Sequence, residues 1–147
     1  MTNTTEKLKK LTQTTFDSVE GYRKAAEKAE SPALKQALER RTGQRQNTLN
    51  KLNEALMAGG ENAVTSSSTM GQMHQTFLNV TESFSNGDEA AAERVEEGEE
   101  YLADQFRDVL EDDENGLDGS TRMIVQNAYS EIREGERFGE MLETQYS

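Results

Sequence analysis

The chain has 147 residues, with Lys+Arg 16 against Asp+Glu 28 for a net charge of -12, no cysteine and one histidine, His74. So negative a field repels phosphate backbones and anionic lipid heads, which excludes nucleic acid and membrane surfaces as expected partners, and the lack of cysteine excludes disulfides, thiolate metal sites and cysteine nucleophiles. The opening MTNTTEKLKK holds no apolar leader and no run approaches the roughly 18 apolar residues of a membrane span, so a cytoplasmic location is expected.

This length suits one domain with a real core. The apolar fraction of 33% is low even after glycine is added, so each helix is expected to carry a narrow apolar stripe and a broad solvated face.

The first helix is predicted over about residues 4–29, where Leu8, Leu11, Val19, Tyr22 and Ala26 recur at steps that keep them on one helical face. Ser31-Pro32 restarts the chain, serine as N-cap and proline at the first helical position, where its missing N–H costs nothing. So short a connection forces an antiparallel hairpin. The second helix, about 32–58, carries Leu34, Ala37, Leu38, Leu49, Leu52 and Leu56 until Gly59-Gly60 stops it. A polar stretch follows, then a capping-box spacing of Thr69 and Gln72 opens a short helix over about 70–84. Ser85-Asn86-Gly87 breaks it, and Asp88 is expected to cap a helix over about 88–112 with Val95, Leu102, Phe106, Val109 and Leu110 on its inner face. After the acidic turn from Asp112 to Gly119, a last helix over about 119–145 holds Met123, Ile124, Ala128, Ile132, Phe138 and Leu142.

Four long helices, a tight first hairpin and a connection long enough to cross the bundle predict an all-α, up-down four-helix bundle whose crossover carries a short extra helix. Period-two alternation is missing, so no strands are expected. Glu20-Gly21-Tyr22-Arg23-Lys24-Ala25-Ala26-Glu27 and Glu97-Gly98-Glu99-Glu100-Tyr101-Leu102-Ala103-Asp104 share their Glu-Gly, Ala and acidic positions, the mark of two related hairpins or a coincidence of acid-rich windows.

The string VEGYRKAAEKAESPALKQALERRTGQR, the later SNGDEAAAERVEEGEEYLADQFRDVL and the order of the parts around them resemble the ferritin-like bacterial four-helix-bundle proteins of the domain-of-unknown-function 2383 type. The resemblance covers nearly the whole chain and rests most on the Glu-Gly-Tyr-Arg-Lys-Ala-Ala-Glu segment, Arg41, the piece from Gly71 to His74, and Glu97-Gly98-Glu99-Glu100. It implies a ferritin-related architecture and a bacterial source, and it carries no established activity. Gly135-Glu136 departs from it, standing where the family pattern leads one to expect an Ala-His-Asp-like string.

Carboxylate-bridged metal pairs in such bundles usually take a Glu-x-x-His from each of two helices, which one histidine cannot supply. At about 100° per residue, Glu20, Glu27 and Glu39 fall roughly 100–140° from the apolar stripes of their helices and are expected to face outward. Arg41 lies within roughly 20° of its stripe's centre, while Glu99 and Glu131 fall roughly 50° from theirs. With Tyr22, all sit near mid-height. The expected arrangement is a buried polar cluster of Tyr22, Arg41, Glu99 and Glu131, in which Arg41 crosses the interior to Glu99, Glu131 or both, because an unpaired buried guanidinium costs several kcal/mol. The competing reading has Arg41 lay its stem over apolar surface and reach solvent.

Other features read as ordinary. His74 shares a short amphipathic helix with Met70, Met73, Phe77 and Leu78 and is expected to be a packed or half-exposed residue and not a ligand, and methionines 57, 70, 73, 123 and 141 are expected to fill gaps in the core. Asp112-Asp113-Glu114-Asn115-Gly116 lacks the ligand spacing of a calcium loop. No catalytic residue and no resident cofactor are expected, and the leading reading is a non-catalytic bundle, stress-associated or partner-binding, acting through an unidentified protein partner or self-association. The alternative is a carboxylate-only site of Glu99, Glu131 and Glu134 holding manganese or iron, with oxidative or storage activity; all-oxygen ligands suit hard ions.

Overall fold

The computed structural model describes residues 2–68, 87–112 and 117–146, with side chains from residue 5 onward. Among these residues it is all-helical, with α1 spanning Thr2–Lys28, α2 Pro32–Ala58, α3 Gly87–Glu111 and α4 Gly119–Tyr146. No strand occurs among the described residues. The short helix expected over about 70–84, with His74 and its capping box, lies outside them.

Local chemistry sets the helix boundaries. Ser31 accepts a 3.3 Å hydrogen bond from Leu34 N, and Pro32 follows it at the first helical position, where a missing donor costs nothing. Gly60, at φ +87, takes the chain out of α2 in a conformation that few other residues adopt. Asp118 Oδ1 caps α4 by accepting from Thr121 N at 2.7 Å. Asp88 does not play the expected capping role. Because Gly87 (φ +74) already begins α3, the Asp88 carboxylate lies inside the first turn and accepts from Glu30 N at 2.8 Å and Ser31 N at 3.0 Å. It thereby ties the first hairpin to the start of α3.

The helices form a square in which α1 touches α2 and α3, and α4 touches the same two. Lys7 near the start of α1 pairs with Asp112 just past the end of α3 at 2.6 Å, while Asp88 meets the end of α1, so α1 and α3 are antiparallel. Leu34 and Leu38 share one apolar cluster with Leu142, and Leu52 and Leu56 share another with Val125 and Ile132, which makes α2 and α4 antiparallel as well. Helices α2 and α3 consequently run the same way, and the connection between them starts back along the bundle. Its described part begins that climb: Val64 exchanges hydrogen bonds with Asn53 at 2.8 and 3.1 Å, and Ser68 donates through N and Oγ to buried Asp17 at 2.9 and 2.7 Å.

The core is divided. One cluster, around Tyr22, Leu34, Leu38, Ala91, Val95 and Leu142, fills one end, and a second, around Leu8, Leu11, Leu52, Leu102, Phe106 and Ile132, fills the other. Met57, Met123 and Met141 are 54%, 62% and 52% exposed, which corrects the expectation that they fill the core; each stands on the outer face of its helix. Met70 and Met73 lie outside the described residues.

Candidate functional site

Between the two apolar clusters lies a layer of charged and hydroxyl side chains contributed by all four helices. On α2, Leu34, Leu38, Arg41, Arg45, Thr48, Leu52 and Leu56 are all buried. Their steps of three and four residues keep them on one inner face, so the helix geometry that buries the leucines also carries two arginines and a threonine into the middle of the bundle.

Arg45 is the centre of the layer and is completely buried. Its Nη1 and Nη2 grip Glu99 of α3 as a fork, at 2.8 Å to Oε1 and 2.6 Å to Oε2, the bidentate geometry that makes arginine–carboxylate pairs strong. Nε donates to Glu131 Oε1 of α4 at 2.8 Å, and Nη2 reaches Glu131 Oε2 at 3.2 Å. Nη1 also donates to Ser18 Oγ of α1 at 2.9 Å. A guanidinium has five N–H groups, and five contacts use them all. The Tyr22 ring lies 5.4 Å from the guanidinium carbon, within range of a cation–π contact.

The acceptors are equally engaged. Tyr22 donates its hydroxyl proton to Glu99 Oε2 at 2.6 Å, and Thr48 donates to Glu131 Oε1 at 2.7 Å. Arg41 donates through Nη2 to the side chain and, at 3.2 Å, to the main-chain oxygen of Glu131, and through Nη1 to Gln44 at 2.5 Å. Its guanidinium lies 6.0 Å from the Phe138 ring, and its buried Nε has no hydrogen-bond partner. With two arginines and two glutamates the layer is electrically neutral. Burial pushes the Tyr22 hydroxyl up, and the Glu99 charge adds to that, so the phenol stays protonated. Burial likewise works against the charge on Arg45, but Glu99 and Glu131 outweigh it and hold the guanidinium above its ordinary range. At Glu131 burial pushes the carboxyl up, whereas Arg45, Thr48 and Arg41 pull harder, leaving it below the usual carboxylate range.

Tyr22, Arg41, Glu99 and Glu131 therefore occupy one layer, and of the two carboxylates open to it Arg41 takes Glu131. Arg41 reaches Glu131 and not Glu99, because Arg45, one turn further along α2, takes Glu99 with both of its terminal nitrogens. Arg45 is the residue the sequence reading missed, although the same spacing that selects Arg41 selects it. Gly135 is the second. A Cβ added there would stand 1.8 Å from Glu99 Oε2, 2.6 Å from Arg45 Nη2 and 2.9 Å from Arg41 Nη2, so the missing side chain is the space the ion pair fills. Gly139, one turn on, would place a Cβ 2.8 Å from Glu96 Cα, which is how closely α4 approaches α3 here.

Glu134 is largely exposed and touches only the edge of the layer, 3.9 Å from Arg41 Nη1, while Glu99 and Glu131 are held by guanidinium groups. Glu20 pairs with Arg23 on its own helix, and Glu27 and Glu39 face outward. Among the described residues, no group of three or more His, Cys, Asp or Glu side chains is placed to hold a metal ion, and no helix is long and apolar enough to cross a membrane.

A family model described as Domain of unknown function (DUF2383) matches residues 3–112. The match covers α1, α2 and α3, and so Tyr22, Arg41, Arg45 and Glu99, while Glu131 and Gly135 lie beyond it on α4. No curated protein and no solved structure matches the chain.

Proposed function

Since the chain belongs to the Domain of unknown function (DUF2383) family, whose description assigns no activity, we propose that it is a ferritin-like bundle closed at its centre by arginine, acting through its surface and not by catalysis. One long crossover joining two antiparallel pairs is the connectivity of ferritin-like folds, and in their metal-bearing members inward carboxylates at mid-height gather around the ions. Here the inward carboxylates are Glu99 and Glu131, and the positive charge between them is a guanidinium.

The observation that carries this reading is the saturation of Arg45: completely buried, all five N–H groups used, both carboxylates engaged. A cation entering this layer meets a fixed positive charge and must strip hydrogen bonds from both glutamates. The layer is suited to setting helix register, the best-attested use of buried polar groups, and leaves the outer helix faces for a protein partner in a bacterial, stress-associated setting.

Elemental analysis of native protein purified without chelator, paired with thermal melts with and without added manganese or iron, tests the proposal. The expected result is no stoichiometric metal and no shift in melting. Near-stoichiometric metal with a raised melting temperature would overturn it and make the carboxylate-only manganese or iron site of Glu99, Glu131 and Glu134 the leading reading.

A further inference from the structure

The outer face of α2 carries a second periodic row. Gln36, Arg40, Gly43, Asn47, Asn50, Glu54 and Met57 follow one another at steps of four and three residues, and all seven are exposed. This spacing keeps the seven on one continuous face of the helix. None of the described residues covers it.

Gly43 sits at the middle of that seam without an internal reason to be glycine. A Cβ added there would meet nothing within 4 Å, and glycine at an exposed helix interior costs roughly 1 kcal/mol against alanine. The row is also symmetric in its chemistry. Reversed about Asn47, it sets Arg40 against Glu54, and brings Gly43 opposite the turn that holds Asn50 and Lys51.

From this we infer that α2 is a self-association surface, on which a second copy of the chain packs its own α2 antiparallel about a two-fold axis at Asn47. Each Arg40 then faces the partner's Glu54, a pairing made twice. Each Gly43 lies against the partner's turn of Asn50 and Lys51, where the absent side chain lets the backbones come close. The two Asn47 amides meet on the axis, a self-complementary pair that sets register as single polar residues do in coiled coils. Such an interface is isologous and closes at two copies.

Charge favours this face over those of α3 and α4. Leaving out the paired inner residues Arg41, Arg45, Glu99 and Glu131, helices α3 and α4 together carry 13 acidic and 5 basic residues, a net of -8, whereas α2 carries 2 acidic and 3 basic, a net of +1. Two copies meeting through α3 or α4 repel each other. Through α2 they do not, and Arg40 with Glu54 makes the seam itself neutral. The surface is separate from the arginine layer, and its test is independent of metal content.

Sedimentation equilibrium of the full chain over a range of concentrations is the experiment, run on the native sequence and on Gly43→Leu, Glu54→Arg and the Arg40→Glu/Glu54→Arg swap, with circular dichroism melts to verify folding. The expected result is a monomer–dimer equilibrium, weakened roughly tenfold or more in Gly43→Leu and Glu54→Arg and recovered in the swap. A chain that stays monomeric at every concentration, or a dimer that folded Gly43→Leu and Glu54→Arg leave unchanged, would overturn the assignment.

Discussion

Gly135 of α4 lies against Glu99 of α3 so closely that a methyl group on its Cα would stand 1.8 Å from Glu99 Oε2. On helix propensity alone, Gly135→Ala ought to gain about 1 kcal/mol. The contact reverses the sign, because a Cβ must push aside a carboxylate and two guanidinium groups that are hydrogen-bonded across the layer. Overpacking a core costs roughly 1–3 kcal/mol and breaking a buried ion pair more, so the expected outcome is a net loss of about 2 kcal/mol or more by chemical denaturation. Gly43→Ala, where the added Cβ meets nothing within 4 Å, is the control and should gain about 1 kcal/mol in dilute protein. If both substitutions stabilise, the packing described at Gly135 is wrong.

Arg45 and Glu99 stand or fall together. Arg45→Met strands Glu99 as a buried carboxylate with only the Tyr22 hydroxyl beside it, and truncating one member of a buried pair costs roughly 3–5 kcal/mol. Arg45→Met combined with Glu99→Leu removes both desolvated charges and should recover most of that loss, since apolar replacement of a buried pair is often neutral or stabilising. A double-mutant cycle from urea denaturation reads the coupling. The register role makes a further demand: the double variant should lose dispersion in its amide NMR spectrum as alternative helix registers become populated. A spectrum as sharp as the native one would leave the pair without that role.

Acid should loosen the layer through Glu131. Its folded-state carboxyl lies below the usual range because Arg45, Thr48 and Arg41 together outweigh the opposing effect of burial. The unfolded chain therefore takes up this proton at a higher pH than the folded protein does. The contribution is fully present above the ordinary glutamate range and is lost as pH falls through it toward the lowered folded value. Stability measured from neutral pH down to about pH 3 should decline through this window, and part of the decline should be absent in Glu131→Gln, which is less stable at neutral pH and flatter below it. Equal slopes for the two proteins would show that other carboxylates govern the acid limb.

Much of this layer was legible from residue spacing. Helical periodicity places Tyr22, Arg41, Glu99 and Glu131 toward the interior, and Ser31-Pro32 and Gly59-Gly60 mark the ends of α2 as observed, because caps and stripes are properties of single helices. Arg45 was within reach of the same reasoning. It extends the run Leu34, Leu38, Arg41 toward Thr48 and Leu52. The partition of partners was not legible, since whether Glu99 falls to Arg41 or Arg45 depends on how far α3 is displaced along α2. Gly135 escapes for the same reason. A glycine in a helix reads as a weakness until the neighbouring helix is in place, and here the neighbour brings Glu99 into the space. The outward turn of Met57, Met123 and Met141 shows the converse limit: hydrophobic type was followed where position on the wheel decides.

Glu96 on α3 is a carboxylate the fold would be better without. Partial burial pushes its carboxyl up, and Glu143, Glu100, Glu97 and Glu140 push in the same direction, while Gly139 of α4 packs against its backbone and leaves it little freedom to move away. A carboxyl whose folded value is raised binds its proton more readily folded than unfolded, so it costs stability above that value and the cost disappears as pH falls below it. Glu96→Gln keeps the shape and removes the charge. It should raise stability at neutral pH by somewhat under about 1 kcal/mol, given the solvent screening at this half-buried position, and by nothing near pH 3, where the native carboxyl is already protonated. Thermal melts of the two proteins at both pH values check it. A gain that persists at low pH would trace to helix propensity or packing, and a loss at neutral pH would mean that Glu96 has a stabilising partner.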